Sequence, residues 1–255
     1  MSLIVEQKGA VLRVHLNRPD VRNAFDDSLI AELTSAFRDV SHDVRAVALS
    51  GEGKVFCAGG DLNWMQRTAD YSEEENLRDA EALAALFLAV DECPCPVVAR
   101  VQGAAFGGGL GLVSVSDVVI ADTGARFCFS EVKLGLVPSV ISQFAIRKIG
   151  EGAARRYFLT AEVFDASEAQ RIGLVHRVVP TEQLDDETEA VLSAILPNGP
   201  NAVRSAKALI RQLRGKTVEE GVSLSTKTIA HARASEEGKE GVTAFLQKRK
   251  PSWQD

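Results

Sequence analysis

The chain has 255 residues, 45% hydrophobic and 25% charged, which is ordinary for a globular protein large enough to bury a full core. Its 29 Lys and Arg against 35 Asp and Glu leave a net charge of −6, so no basic field recommends nucleic acid as a main partner. No run of about 18 apolar residues occurs, and the start MSLIVEQKG has no charged segment leading into an apolar block, so a cytoplasmic protein off the membrane is expected.

Residues 3–6 and 11–16 alternate like the strands of a hairpin around Lys8-Gly9. Asp26 is placed to cap a helix running to about residue 40, and residues 44–49 read as an apolar strand that ends at Ser50-Gly51. The loop GEGKVFCAGGDLNWM follows, then a long helix over 72–90 and a short β-branched strand over 96–101. Strands alternating with helices indicate an α/β core.

Three consecutive glycines, Gly107 to Gly109, break the chain after that strand. Glycine lets backbone N–H groups approach a ligand closely, and a helix starting at Leu110 would aim its free N–H groups at the same spot. A partly anionic oxygen is the expected guest, although a mere packing turn reads equally well from this run alone. A dinucleotide turn fits poorly: a parallel crossover needs roughly a dozen residues, and Gly111 to Val118 is too short for one. Residues 118–121 and 126–129 are further apolar segments. Beyond 140 the pattern turns helical, over 141–150, 151–159, 166–172, 181–196, 201–213, 218–232 and 236–248, with one strand at 173–179 and a firm break at 196–200.

Four cysteines, Cys57, Cys93, Cys95 and Cys128, are scattered as reduced thiols would be. Cys93-Pro94-Cys95 lacks a second Cys/His pair at ligand spacing, so no metal is expected there. His15, His42, His176 and His231 are dispersed, and none is given a catalytic role. A second glycine loop, Phe56 to Leu62, follows the 44–49 strand as Gly107–Gly109 follows the 96–101 strand. Two parallel strands ending in two glycine turns could aim two N–H groups at one oxygen that becomes negative, an arrangement in which one donor is typically worth ~2.7–4 kcal/mol.

With these segments in hand the chain resembles the crotonase superfamily, the enoyl-CoA hydratase/isomerase family. The resemblance is carried by LNRPDVRNAFD (16–26), GEGKVFCAGGDL (51–62), PVVARVQGAAFGGGLGL (96–112), DVVIAD (117–122), ARFCFSEVKLGLVP (125–138), RRYFLTAEVFDASEAQRIGLVHRVV (155–179) and FLQKRKP (245–251), nearly the whole chain in order. It implies an α/β spiral of ββα units over 1–196 as catalytic domain and a helical trimerisation region over 197–255, assembled as a homotrimer or a dimer of trimers. It implies an acyl-CoA thioester substrate with no metal or redox cofactor, while the charge and composition lead to no expectation of a nucleic acid or membrane partner. A non-catalytic acyl-CoA-binding or RNA-binding relative is the reading of another class, which the net charge of −6 and the retained glycine turns disfavour.

By match to the family motifs, Gly60 and Gly108 would donate to the thioester oxygen, and Glu131 would carry the proton. Flanked in sequence by Phe127, Phe129, Val132 and Leu134, Glu131 should hold a proton more readily than a solvated carboxylate. Arg22, Ala24, Ala58, Asp61, Leu62, Gly111 and Lys248 match substrate-contacting segments. One departure stands out: typical hydratases of the family carry a second glutamate where this chain has Gly111. One carboxylate suffices for an isomerase, which moves a proton between C2 and C4. At finer grain, GGDLNWM, GGGLGL and FSEVKLGLVP look most like bacterial glutaconyl-CoA hydratases of leucine and terpene breakdown, including 3-methylglutaconyl-CoA hydratase. Water would then be held by Glu131 and a further polar group, with Ser130, Ser139 and Ser142 as candidates. Arg67, Lys133 or Arg147 could meet a distal carboxylate.

Overall fold

A computed structural model describes residues 2–254. β1 (Leu3–Lys8) and β2 (Val11–Leu16) form the hairpin, turning through Gly9, whose φ of 59° suits glycine. Asp26 caps α1 (Asp27–Arg38) by accepting from the Leu29 N–H at 2.9 Å. β3 (Ala46–Gly51) follows, then α2 (Leu62–Thr68) and α3 (Glu73–Glu92), the latter opened by a capping box between Ser72 and Glu75.

The next segment repeats one motif. A long strand runs directly into a short one at right of way to a helix or turn: β4 (Val97–Val101) into β5 (Ala104–Phe106) and α4 (Gly108–Val115), then β6 (Val118–Asp122) into β7 (Arg126–Cys128). α5 (Ser139–Thr160) bends at Gly150, where φ is 75°, so the two helices expected over 141–150 and 151–159 meet there. β8 (Phe164–Asp165), α6 (Ala166–Arg171), β9 (Arg177–Val179) and α7 (Leu184–Ile195) complete the body, and α8 (Pro200–Gln212), α9 (Val218–Ala234) and α10 (Glu236–Leu246) follow the break at Pro197–Gly199.

The five long strands and the short β9 form a six-stranded sheet in the order β1-β2-β3-β4-β6-β9, parallel from β2 onward. The other short strands form a second sheet, β5-β7-β8. Period-two alternation divides the long strands between two cores. Val47, Leu49, Val97, Ala99 and Val101 face the main core with Phe25, Phe87 and Phe127, whereas Ala46, Ala48, Val98 and Ile120 pack beneath Leu184 and Leu192 of α7. Being buried on both faces, β3 and β4 read as continuous apolar runs. The expected strand over 173–179 is ordered as strand only at 177–179; α2, whose start was read as loop, and β5, which no expected element covers, are extra elements.

α8 docks on the body through cations on one face. Arg204 donates to the His42 and Val44 carbonyls, Lys207 to the Cys95 carbonyl and Asp117, and Arg214 pairs with Asp91 through two bonds of 2.6 and 2.8 Å. The Arg204 and Lys207 contacts lie at the N-terminal ends of β3, β4 and β6, and Arg214, just beyond α8, meets the end of α3.

Candidate active site

The two glycine loops leave the C-terminal ends of the neighbouring parallel strands β3 and β4 and lie against each other. The Cys57 N–H donates to the Ala104 carbonyl at 3.1 Å, and the Phe106 N–H returns a bond to the Cys57 carbonyl at 3.0 Å. A Cβ on Gly59 would stand 3.0 Å from the Phe106 carbonyl oxygen, and one on Gly109 would meet the Cys57 oxygen at 2.6 Å. Only glycine permits so close an approach.

Phe25 fixes the orientation of both donors. It pairs with Gly60 as a parallel bridge, donating to the Gly59 carbonyl at 2.7 Å and accepting from the Asp61 N–H at 2.8 Å. Successive peptides of an extended segment point to opposite sides, so the Gly60 N–H turns away from Phe25. The Phe25 ring presses on Gly108, where a Cβ would stand 2.7 Å from two ring carbons. Gly108 opens α4, and its N–H is among those a helix leaves free at its positive end. Gly60 and Gly108 are half-buried between the buried Gly59, Gly107 and Gly109.

Glu131 opens a short 3-10 helix, Glu131–Leu134, directly after β7. Its Oε1 lies 3.6 Å from where a Gly107 Cβ would be, next to the Gly108 N–H in sequence, and its buried Oε2 has no hydrogen-bond partner among the described residues. Burial pushes this carboxyl above its ordinary range. Of the apolar residues expected around it, Phe127 and Phe129 are buried in an aromatic cluster with Phe158 and Phe164, whereas Leu134 is exposed.

Gly111 does not line an open cleft. It is buried, and a Cβ there would stand 2.3 Å from Phe87 Cζ and 2.7 Å from Ile141 Cγ2. The position of the family's second glutamate is therefore walled by two apolar side chains, and the expected substrate contact at Gly111 is replaced by core packing.

The other expected contacts divide. Arg22 is exposed in a left-handed conformation and accepts the Ala58 N–H through its carbonyl, so Arg22, Ala58 and the exposed Leu62 share one rim. Ala24 is buried, its carbonyl held by Arg18. The Asp61 side chain is spent within the chain: it caps α2 and pairs with Arg18 at 2.9 Å. Burial raises its carboxyl, but the Asn63 and Trp64 N–H groups and Arg18 outweigh that and hold it below the ordinary range. Lys248 is not brought to the glycine loops. It follows α10, which packs on α8 and α9, and the adjoining Trp253 carbonyl is held by Arg45 at the start of β3, the opposite end of the sheet. Arg67 pairs with Asp27, Arg147 stacks over the Phe144 ring beside Asp91, and Lys133 lies 3.8 Å from the Cys128 sulfur.

Three positioning residues carried no signal of their own in the sequence. Asn23, fully buried at φ 56°, donates to the Glu52, Val55 and Phe56 carbonyls at 2.9 to 3.1 Å. Gln102 donates to the Gly51 and Gly53 carbonyls, and Arg18 binds Asp26 and Asp61 together. Asn23 and Gln102 hold the glycine loop after β3 by its backbone, where a run of carbonyls turned inward would otherwise be unpaired, and Arg18 holds it through the Asp61 side chain. Burial raises the Cys57 thiol in this loop to about 12, which leaves it a packing group rather than a nucleophile.

Comparison with known proteins identifies the family. The family model for enoyl-CoA hydratase/isomerase matches residues 6–255. The chain belongs to that family. It is 33% identical to a crotonyl-CoA hydratase of Syntrophomonas wolfei over 99% of this chain and 97% of the other. Among solved structures, an enoyl-CoA hydratase from Shewanella pealeana is 41% identical with a TM-score of 0.94, covering 99% of this chain and 96% of that one. AtuE of Pseudomonas aeruginosa is 38% identical with a TM-score of 0.95 over the whole of both chains. The fold is accordingly the crotonase fold, and the chain is an enzyme of this family.

Proposed function

We propose that this enzyme is a hydro-lyase that adds water across the C2=C3 bond of an enoyl-CoA thioester, with Glu131 as its one carboxylate. The observation that carries this is the half-buried Glu131 carboxylate beside Gly107 and Gly108, facing the junction of the two glycine loops. The N–H groups of Gly60 and Gly108 take the thioester oxygen. Glu131 accepts a proton from water as the water oxygen bonds C3, and the electron pair of C2=C3 moves into the enolate. The same carboxyl then returns the proton to C2. Both charged species are stabilised by groups already in place, and the raised proton affinity of Glu131 suits it to hold the proton between the steps.

A named relative acts as a crotonyl-CoA hydratase, which supports hydration. The apolar wall at Gly111 favours a second reading, Δ3,Δ2-isomerisation, which asks only that one carboxylate move a proton from C2 to C4. A branched or dicarboxylic substrate such as 3-methylglutaconyl-CoA is the finer proposal, supported by the sequence resemblance. The rim of Arg22, Ala58 and Leu62 is assigned to the CoA end. Neither metal nor redox cofactor is required by this chemistry. We assign 1–196 as the catalytic domain and 197–255 as the assembly region of a homotrimer or paired trimers, in which Lys248 meets the substrate of a neighbouring chain.

Incubation with crotonyl-CoA, 3-methylglutaconyl-CoA and a 3-enoyl-CoA, following the conjugated double bond and the products, separates the readings. The hydratase consumes the conjugated bond of the first or second and yields a 3-hydroxyacyl thioester. Creation of a conjugated bond from the third, with no hydroxyacyl product from any, would establish the isomerase instead.

A further inference from the structure

Two carboxylates grip a water from two sides, whereas a lone one leaves the water free to turn. With Phe87 and Ile141 closing the Gly111 side, a second grip must come from elsewhere. The three serines considered from the sequence are no longer equivalent. The Ser142 hydroxyl is spent on the Ser139 carbonyl at 2.6 Å, and Ser139 is an exposed residue at the start of α5. Ser130 is only partly exposed, precedes Glu131, and its hydroxyl neither caps the 3-10 helix nor bonds another described residue.

A niche lies between these groups. Ser130 Oγ stands 3.5 Å and Glu131 Oε1 3.6 Å from the point where a Gly107 Cβ would be, with the Gly59 Cα 3.9 Å away on the far side. Gly107 has φ 49° and ψ −120°, a backbone conformation that strongly favours glycine, so the space stays open. Both oxygens lie near the same point beside Gly107, with the Gly59 backbone close by, and the Gly108 N–H follows next in the chain. The Glu131 Oε2 finds no partner among the described residues, which leaves the carboxylate open to a further hydrogen bond.

We propose that Ser130 is the second holder of the attacking water: its hydroxyl and the Glu131 carboxylate fix that water over Gly107, replacing the absent second carboxylate. This rests on the hydratase reading. In the addition, water gives one hydrogen to Glu131 and its oxygen bonds C3; Ser130 accepts the other hydrogen bond and is unchanged at the end. Ser130 therefore matters for water addition and not for proton transfer at C2.

The test compares wild type, Ser130→Ala and Ser130→Thr, each checked for an unchanged melting temperature, in two assays. One is hydration of the unsaturated thioester that wild type turns over. The other is exchange of the C2 hydrogen of butyryl-CoA in D2O, which needs Glu131 and the glycine donors but adds no water. Ser130→Ala should lose roughly 10- to 100-fold in kcat of hydration, the scale of one hydrogen bond within a charged network. KM and C2 exchange should stay within about threefold, and Ser130→Thr should recover most of the loss. Hydration by Ser130→Ala at the wild-type rate would overturn the proposal, as would equal loss of hydration and exchange, which would make Ser130 a support for Glu131. A wild type that hydrates none of the thioesters but exchanges C2 would remove the hydratase reading, and this proposal with it.

Discussion

Gly111 shows how one missing side chain reshapes a site. Its neighbours have not left a vacancy: Phe87 sits edge-on to Phe25 and Phe144, at ring separations of 6.4 and 6.3 Å, and fills the space against α4. Even a methyl group would intrude, since a Cβ stands 2.3 Å from the Phe87 ring. Gly111→Ala should therefore destabilise the fold by about 1–3 kcal/mol through overpacking, more than the roughly 0.5–1 kcal/mol that alanine gains within a helix. Thermal unfolding reads this directly; an unchanged or raised melting temperature would show that Phe87 yields easily. Glu131 is the opposite case, a polar group with too few partners. Its place in FSEVKLG pointed to it in the sequence, but the orphaned Oε2 and the niche with Ser130 depend on how β7 meets Gly107, and no local pattern encodes that meeting.

At the scale of elements, the site is a product of parallel strand pairing. β3 and β4 lie in register, Val47 beside Val97 and Leu49 beside Ala99, so the loops that follow them emerge together. The two apolar strands and their glycine endings were legible in the sequence, because buried parallel strands read as apolar runs and glycine clusters mark the breaks. β5 and α2 were not legible. β5 is three residues long and takes its pairing from β7, a non-local partner, and α2 owes its start to the Asp61 cap within a stretch dominated by glycines. The role of Asn23 was equally hidden, since its three acceptors lie about thirty positions away. Asn23→Ala should unpair those carbonyls and cost about 1–3 kcal/mol, with the loop bearing Gly60 loosened. Chemical denaturation together with KM for the thioester checks this; full stability with a lowered kcat alone would assign Asn23 a different part.

Across the whole molecule, the two ends of the sheet have different tasks. One end carries the glycine loops and Glu131, and the other carries α8–α10. These three helices bury only Gly221 and Ala244 within the chain, while Ile210, Val218, Val242, Phe245 and Leu246 are each more than 60% exposed. Apolar surface on that scale marks an interaction face, consistent with the proposed assembly through these helices. Light scattering should give the mass of three or six chains, and Phe245→Asp with Leu246→Asp should reduce it; a monomer at micromolar concentration would contradict this. Lys248 follows α10 at the end of the sheet away from the glycine loops, so its proposed contact with CoA belongs to that assembly.

The account turns on Glu131 as the one proton carrier, and the pH dependence of kcat/KM for hydration, in wild type and Glu131→Gln, tests it most directly. Burial raises the Glu131 pKa above its ordinary value, and the ionised form is the base, so wild-type kcat/KM should rise with pH through an apparent pKa above the ordinary carboxylate range. Glu131→Gln should lose that limb and fall about 10²–10⁴-fold. A variant that hydrates near the wild-type rate, with the same pH profile, would contradict the account.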